Sequence, residues 1–227
     1  MKIRILAGIL IGVFLLLSLL FLPHGAIVCG YVCIVIFASA EVYSALTRNY
    51  TPIGDLICTS EVFLLAFSLL FVAFLFDNYQ IGYIIILCAL VDTGGYAAGN
   101  IAGKKAHRVA FLKDISPKKS WEGYVAGIAL SIGLGIAFYS LMRDVLPTDA
   151  FYFSFIAWLP AILGDLSESK IKRLLGIKDS GEVLLNSKFT PIHILELPLA
   201  SHGGYLDRID SFSFTILAYA IFVRFMP

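Results

Sequence analysis

Long apolar runs alternate with short polar segments along most of this chain. A helix needs about 20 mostly apolar residues to cross the hydrocarbon core of a bilayer. By that measure the pattern predicts about seven transmembrane helices, at 3–22, 26–47, 56–76, 80–99, 122–142, 150–169 and 211–226. The last of these runs is short and carries Arg224. We therefore predict an all-α fold, that of a polytopic integral membrane protein.

The composition agrees with this prediction. Apolar residues make up 59% of the 227 residues and charged residues only 15%, and the mean hydropathy is +0.88. The four cysteines all lie in apolar runs, with no Cys-x-x-Cys pair, so we interpret them as small apolar core residues. No Ala-x-Ala cleavage site follows the first apolar run, so we expect it to remain as a span.

The few charges are unevenly distributed between the predicted loops. Basic residues cluster in alternate loops: Lys2, Arg4, Arg48, Lys104, Lys105, Arg108, Lys113, Lys118, Lys119, Lys170, Lys172, Arg173, Lys178 and Lys188. The opposite loops carry one basic residue, Arg143. Because basic loops stay on the cytoplasmic side, the pattern predicts a cytoplasmic N-terminus and an external C-terminus.

Five acidic residues lie in or beside the predicted spans, all toward the cytoplasmic side: Glu41, Glu61, Asp92, Glu122 and Asp165. Acidic side chains are costly in lipid and are therefore functional candidates. Each one alone could be an interfacial residue that reaches up to water. Five on one side, facing two basic loops, favour a polar cavity open to the cytosol.

Two candidate regions flank the fourth loop. Asp92 shares a helical face with Tyr96, Gly99 and Gly103. Gly95, Gly99 and Gly103 also form a Gly-x-x-x-Gly repeat that could serve helix packing alone, but packing does not explain Asp92.

The loop at 113–123 ends in a predicted helix start, at Pro117 or Ser120. Lys118 and Lys119 lie just before it. Backbone N–H groups at a helix N-terminus together with ammonium groups can bind phosphate. The alternatives are a topology signal or contact with anionic lipid.

A third region lies at 164–173, where Asp165, Ser169 and Lys172 or Arg173 share one helical face. The acid one turn deeper than the cations suggests a metal with phosphate above it.

The fourth region, at 201–210, combines two adjacent glycines with Asp207, a hard oxygen ligand suited to Mg²⁺, and Arg208, which is suited to phosphate. His202 alone would be an ordinary loop histidine. Together these residues indicate a nucleotide and metal site.

These motifs resemble the phosphatidate cytidylyltransferases, also called CDP-diacylglycerol synthases. That signature runs Ser-x-x-Lys-Arg-x4-Lys-Asp and later His-Gly-Gly-x-x-Asp-Arg-x-Asp. It is matched by Ser169, Lys172, Arg173, Lys178, Asp179, His202, Gly203, Gly204, Asp207, Arg208 and Asp210. The segment 115–123 is similar to the Ser-Pro-Lys-Lys-(Thr/Ser)-x-Glu-Gly element of that family. The segment 92–104 resembles its Asp-x-x-Ala-Tyr-x-x-Gly stretch, with Gly95 at the usual alanine.

The resemblance implies transfer of CMP from CTP to phosphatidate on the cytoplasmic side of a bacterial inner membrane. It divides the chain into N-terminal transmembrane helices (1–76) and a catalytic transmembrane region (77–227). The implied catalytic residues are Asp165, Asp207, Lys172, Arg173, His202 and Arg208. The implied substrate-binding residues are Ser116, Lys118, Lys119, Glu122, Asp92, Ser169, Lys178, Asp179, Gly203, Gly204 and Asp210.

By the same resemblance, Asp165 and Asp207 hold Mg²⁺, with a second cation left open. The implied partners are CTP, phosphatidate and membrane lipids but no nucleic acid, and a homodimer is left open.

The chain departs from the family pattern in two ways. It has fewer N-terminal spans than larger members, and an extra stretch near 183–199 separates Asp179 from His202. That stretch is too short to span, so we expect an interfacial or re-entrant segment.

Two other functions are alternatives to this one. The first is the same transfer to another lipid phosphate, as in the CDP-archaeol synthases, but Ser169 with Lys172 and Arg173 favours the diacylglycerol branch. The second is a transporter, which the acids on one face and the lack of a visible inverted repeat disfavour.

Overall fold

The computed structural model describes residues 17–18, 21–48, 52–117, 119–143, 147–174, 176 and 206–225. Among these residues there are six α-helices and one isolated β-bridge, but no strand. The helices are α1 (His24–Arg48), α2 (Pro52–Phe74), α3 (Asn78–Ala102), α4 (Trp121–Arg143), α5 (Pro147–Leu174) and α6 (Leu206–Phe225). The predicted all-α class is confirmed.

Within the described part of the chain, four helices are long and apolar enough to cross a membrane, over His24–Tyr43, Gly54–Phe74, Asn78–Ala102 and Trp121–Phe138. Large apolar side chains such as Phe63, Phe67 and Phe74 are exposed on the surface of α2. Such a surface is expected where the surrounding solvent is lipid rather than water. The polytopic membrane character is therefore confirmed. The count of seven spans stays a prediction, because most of the first one, 3–22, lies outside the described residues.

The cysteines only partly follow the sequence prediction. All four are free, and Cys58 and Cys88 are buried. Cys29 and Cys33, however, are exposed on α1, which corrects the expectation that all four belong to the core. Within an apolar span, lipid can solvate a cysteine side chain as readily as the protein interior can.

Contacts divide the chain into two compact units, the first comprising Met1–Gly82 with Leu174–Ile209 and the second Tyr83–Arg173 with Asp210–Pro227. In the first unit α1 packs against α2. Tyr31 and Ser68 share a buried hydrogen bond of 2.7 Å between their hydroxyl groups across this contact. The buried Glu41 of α1 accepts a hydrogen bond of 2.9 Å from the backbone N–H of Leu206, the first residue of α6.

In the second unit, glycines let helix backbones touch. A Cβ atom at Gly127 would lie 2.6 Å from the carbonyl oxygen of Val91, and one at Gly123 would lie 2.8 Å from that of Gly95. Helices α3 and α4 are therefore in backbone contact, as small residues allow in membranes. Gly99, in contrast, would meet its nearest neighbour only at 3.6 Å, so the packing of α3 does not require a glycine there.

A second close approach brings α5 to the start of α6. A Cβ atom at Gly164 would lie 2.6 Å from the carbonyl oxygen of Asp210 and 2.7 Å from the Cα atom of Ser211. The residue after this glycine is Asp165. The crossing therefore brings the backbones that carry Asp165 and Asp210 together.

Helix α3 ends at Ala102 and is followed by a glycine in the left-handed conformation. Gly103 has φ +53°, a conformation that costs glycine little and is common just after a helix. The chain then leaves α3 through a short 3₁₀ turn, Gly103–Lys105. This exit begins the loop that leads to α4.

Candidate active site

A cavity of about 610 Å³ lies within the second unit, between α3, α4, α5 and the loop that joins α3 to α4. Of the predicted site residues, Asp92, Ser116, Lys119 and Asp165 line it. Its volume is in the range of small-molecule sites in proteins, about 300–1,000 Å³. The cavity can therefore hold a ligand the size of a nucleotide.

The wall formed by α3 carries two of the predicted motif glycines. Gly95 and Gly99 both line the cavity, and a Cβ atom at either position would make only ordinary contacts, at 3.7 and 3.6 Å. The sequence left open whether the Gly-x-x-x-Gly repeat serves helix packing. The close packing of α3 on α4 depends on Gly94 and on the facing glycines Gly123 and Gly127. Gly95 and Gly99 instead leave space beside Asp92.

Lys119 and Asp165 form an ion pair in the cavity wall. Their side chains are 31% and 26% exposed. Burial alone would lower the pKa of Lys119, but the Asp165 carboxylate raises it, and the net pKa of Lys119 lies above the usual value. Lys119 therefore keeps a full positive charge at neutral pH.

Tyr124 places its aromatic ring beside this ion pair. The Lys119 ammonium lies 5.9 Å from the centre of the Tyr124 ring, within the range of a cation–π contact. The Tyr124 hydroxyl oxygen is buried, and no hydrogen-bond partner for it is found among the described residues. A buried hydroxyl in a cavity wall is suited to bind a polar ligand atom.

Asp165 also belongs to a cluster of three carboxylates with Glu168 and Asp210. One carboxylate oxygen from each residue lies within 4.8 Å of the others. Glu168 is 2% exposed and Asp210 is 5% exposed. Three hard oxygen donors at this spacing fit a divalent cation such as Mg²⁺.

A second lysine lies against this acidic cluster. The Lys172 ammonium is 2.6 Å from Oε1 of Glu168, one helical turn away on α5. Two of the three carboxylates are thus each paired with a lysine. This arrangement reduces the repulsion that three close negative charges would otherwise produce.

The loop before α4 is closed by contacts between its two ends. The Glu122 carboxylate accepts hydrogen bonds of 3.0 and 3.1 Å from the backbone N–H of His107, and its Oε1 lies 2.5 Å from His107 Nδ1. The backbone N–H of Trp121 donates to the His107 carbonyl at 3.0 Å, and that of Val109 donates to the Lys119 carbonyl at 3.2 Å.

Helix α4 begins at Trp121, directly after Ser120. The Ser120 hydroxyl accepts a hydrogen bond of 3.2 Å from the backbone N–H of Gly123. This is the usual contact of a serine that caps a helix N-terminus. The second of the two predicted helix starts is therefore the observed one.

Comparison with known proteins identifies the family to which this site belongs. The cytidylyltransferase family matches residues 3–226, almost the whole chain. The chain belongs to the cytidylyltransferase family.

Several relatives are named phosphatidate cytidylyltransferases. The one from Haemophilus influenzae is 32% identical over 149 residues, which cover 63% of this chain and 45% of the relative. The one from Bacillus subtilis is 33% identical over 146 residues, which cover 62% of this chain and 46% of the relative. A chloroplastic one from Arabidopsis thaliana is 35% identical over 154 residues, which cover 65% of this chain and 33% of the relative. The matched part of the chain spans less than half the length of each relative, and the predicted family resemblance is confirmed.

Three predicted site residues contact protein groups and are not among the residues that line the cavity. The Glu122 carboxylate is engaged by His107, which favours a structural role over the predicted contact with substrate. Lys172 pairs with Glu168, and Arg173 Nε donates to the carbonyl of Ile115 at 3.4 Å. Ser169 is half-buried on α5.

The predicted metal pair of Asp165 and Asp207 is described only in part. Asp207 and Arg208 lie in the first turn of α6, but their side chains lie outside the described residues. Their roles stay predictions, as do those of other residues outside the described ones: Lys118, Lys178, Asp179, His202, Gly203 and Gly204.

Four residues in or beside the candidate site were not predicted as functional: Glu168, His107, Arg108 and Tyr124. Glu168 could have been found, because it lies three residues after Asp165 on the same helical face. His107 and Arg108 gave no signal, because their roles depend on a loop that folds back on itself. Tyr124 follows the recognised 115–123 segment directly, but an aromatic residue in an apolar run has no distinctive pattern.

Proposed function

We propose that this protein transfers the CMP group of CTP to phosphatidate, giving CDP-diacylglycerol and pyrophosphate. The observation that carries the proposal is Asp165, which belongs both to the carboxylate cluster and to the wall of the cavity. Hard oxygen donors and cations around one cavity are what transfer of a nucleotidyl group requires. The names of the relatives support phosphatidate as the acceptor.

The reaction joins a phosphate oxygen of phosphatidate to the α-phosphorus of CTP. The bond from that phosphorus to the oxygen bridging to the β-phosphorus breaks, and its electron pair leaves with pyrophosphate. The attacking phosphate is already anionic, so the protein needs to position the reactants in line and to neutralise charge rather than to remove a proton.

The residues of the cavity have the properties that this role demands. Lys119 is cationic at neutral pH and, with Arg108, is positioned to bind phosphate oxygens of CTP. The Tyr124 hydroxyl supplies a hydrogen bond to a ligand atom. Val91 and Ile162 give the cavity apolar surface, which excludes water and so strengthens these charge contacts.

Asp165, Glu168 and Asp210 would hold a Mg²⁺ ion, which neutralises charge on phosphate oxygens when bound. Asp207, on the same first turns of α6 as Asp210, is proposed as a further ligand. Membership of the family supports dependence on a divalent cation in general.

We place this reaction at the cytoplasmic face of a bacterial inner membrane. CTP arrives there from water and phosphatidate from the adjacent leaflet. The basic residues in alternate loops support this orientation, and the bacterial relatives support the compartment.

The test is incorporation of α-³²P-labelled CTP into lipid by the purified, reconstituted full chain. We expect labelled lipid only when phosphatidate and Mg²⁺ are both present, and roughly 10²-fold less of it with Asp165→Asn. A parallel reaction with an isoprenoid ether glycerol phosphate distinguishes the archaeol branch. Equal labelling of that lipid, or none with phosphatidate, would contradict the proposed acceptor.

A further inference from the structure

Glu122 contacts His107 through both the main chain and the side chain. Its two carboxylate oxygens lie 3.0 and 3.1 Å from the His107 backbone nitrogen, and Oε1 lies 2.5 Å from Nδ1. Glu122 is in the first turn of α4, where the positive end of the helix dipole favours a carboxylate. Both oxygens are therefore committed to one residue of the preceding loop.

This contact lies at a narrow closure of the loop, which we call the neck and define as residues 107–109 and 119–121. Arg108 and Ser120 pair across it in an antiparallel β-bridge. A backbone hydrogen bond lies on either side of that bridge. Trp121 N–H donates to the His107 carbonyl at 3.0 Å, and Val109 N–H donates to the Lys119 carbonyl at 3.2 Å. Two such bonds alone make a marginal closure, because isolated two-stranded pairings are scarcely stable in water.

The neck also carries the cationic side of the cavity. Arg108 and Lys119 are the basic residues among those that line the cavity in the described part of the chain. They stand on opposite arms of the neck, so their spacing depends on the neck remaining closed. Substrate-binding groups must be held to within about 0.5 Å by their supports.

We infer that Glu122 and His107 form a clamp that keeps the neck closed and so positions Arg108 and Lys119 for an incoming triphosphate. Glu122 is then a positioning residue that acts through these two cations and does not itself touch the substrate. The triphosphate as ligand rests on the proposed function, whereas the clamp as the support of the neck does not.

The experiment is a double-mutant cycle with Glu122→Ala, His107→Ala and both together, in the reconstituted full chain. Asp114→Ala is the matched control, because Asp114 is an exposed carboxylate of the same loop. Glu122→Gln keeps an acceptor oxygen and tests rescue. Hydrogen exchange at the Val109 and Trp121 amides reports the neck directly and needs no substrate.

We expect Glu122→Ala to speed exchange at both amides by roughly tenfold or more and to raise the KM for CTP by a similar factor. The KM for phosphatidate and the thermal midpoint should change little. His107→Ala should give a smaller effect in the same direction, because its backbone N–H remains. The double variant should be no worse than Glu122→Ala, since the two residues act as one unit.

Unchanged exchange at the neck in Glu122→Ala would overturn the clamp, whatever the activity. Faster exchange with an unaltered KM for CTP would overturn the positioning of the cations. Additive effects of the two single changes on KM would assign Glu122 a direct contact with substrate. If the wild-type chain used no CTP at all, the proposed function would fail, but the exchange measurement would still decide the clamp.

Discussion

Lys119 is ion-paired with Asp165, which joins the cationic loop before α4 to the carboxylate cluster on α5 and α6. The ammonium group occupies one side of a carboxylate that a metal ion would also bind. We therefore expect Lys119 and a divalent cation to compete for the same negative charge when no nucleotide is present. A triphosphate offers the lysine another anionic partner.

Replacing Lys119 by methionine should separate these two roles. Without the competing ammonium, Mn²⁺ should bind to the nucleotide-free protein roughly tenfold more tightly, a difference of about 1.4 kcal/mol. Transfer from CTP should fall by about 10²-fold, the scale of losing one main electrostatic contributor. Electron paramagnetic resonance of free Mn²⁺ measures the first effect. Lys105→Met, at an exposed site in the same loop, should change neither, and unaltered Mn²⁺ affinity in Lys119→Met would contradict the competition.

The carboxylate cluster predicts how its three members respond to neutral amides. Asp165→Asn, Glu168→Gln and Asp210→Asn should each lower Mn²⁺ affinity and reduce activity by roughly 10²-fold. Pairs of these changes should add little further, because the three groups act as a unit. A chelator should abolish activity and Mg²⁺ should restore it. Asp114→Asn is the charge-matched control, and full Mn²⁺ binding by Glu168→Gln would remove Glu168 from the site.

Tyr124→Phe tests whether the buried hydroxyl serves a ligand. The change removes a hydroxyl with no hydrogen-bond partner among the described residues, so it should leave the free energy of unfolding unchanged or slightly higher. The KM for CTP should nevertheless rise several-fold, by about the value of one hydrogen bond, 0.5–1.5 kcal/mol. A lower thermal midpoint with an unchanged KM would show that the hydroxyl supports the fold instead.

The glycines of α3 and α4 should respond differently to a single added methyl group. Gly127→Ala places a Cβ atom 2.6 Å from the backbone of Val91, which cannot yield as a flexible side chain can. We expect it to lower the free energy of unfolding by about 1–3 kcal/mol. Gly99→Ala meets its nearest neighbour at 3.6 Å, so it should fold normally. Thermal unfolding of both variants in the same detergent makes the comparison, and equal midpoints would refute it.

A further prediction concerns the contribution of Glu41, in the first unit, to the free energy of unfolding. It is 2% exposed and accepts a hydrogen bond from the N–H of Leu206 at the start of α6. Glu41→Ala leaves that donor without this acceptor and should cost about 1–3 kcal/mol of unfolding free energy. Glu41→Gln retains an acceptor and should cost less. Chemical unfolding measures the free energy of unfolding of both variants. A Glu41→Gln variant less stable than Glu41→Ala would contradict this role of Glu41.

The sequence predicted the positions of several helices well, because a long apolar run in lipid must satisfy its backbone hydrogen bonds within a helix. The run at 80–99 became α3, Asn78–Ala102, and the run at 122–142 became α4, Trp121–Arg143. Helix α5 extends past its run, 150–169, to Leu174. Lysine and arginine, which follow the apolar run, are good helix formers, so the helix does not have to end with that run. Motif residues near these ends were therefore easy to assign to elements.

Contacts between distant segments could not be predicted in the same way. The family resemblance assigns Glu122 to substrate binding, but sequence spacing gave no indication of its contact with His107, fifteen positions earlier. The pairing of Asp165 with Asp210 depends on how closely α5 approaches α6. Sequence spacing within one helix gives no measure of such an approach.

The direct backbone contact at Gly164 has a consequence for cation size. Because no side chain separates α5 from α6 there, any side chain added at Gly164 would push the backbones that carry Asp165 and Asp210 apart. Mg²⁺ binds oxygen at about 2.0–2.1 Å, whereas Ca²⁺ needs about 2.3–2.6 Å and more ligands. If Asp165 and Asp210 hold a cation, a substitution at Gly164 that parts the two helices should therefore weaken the binding of Mg²⁺ more than that of Ca²⁺.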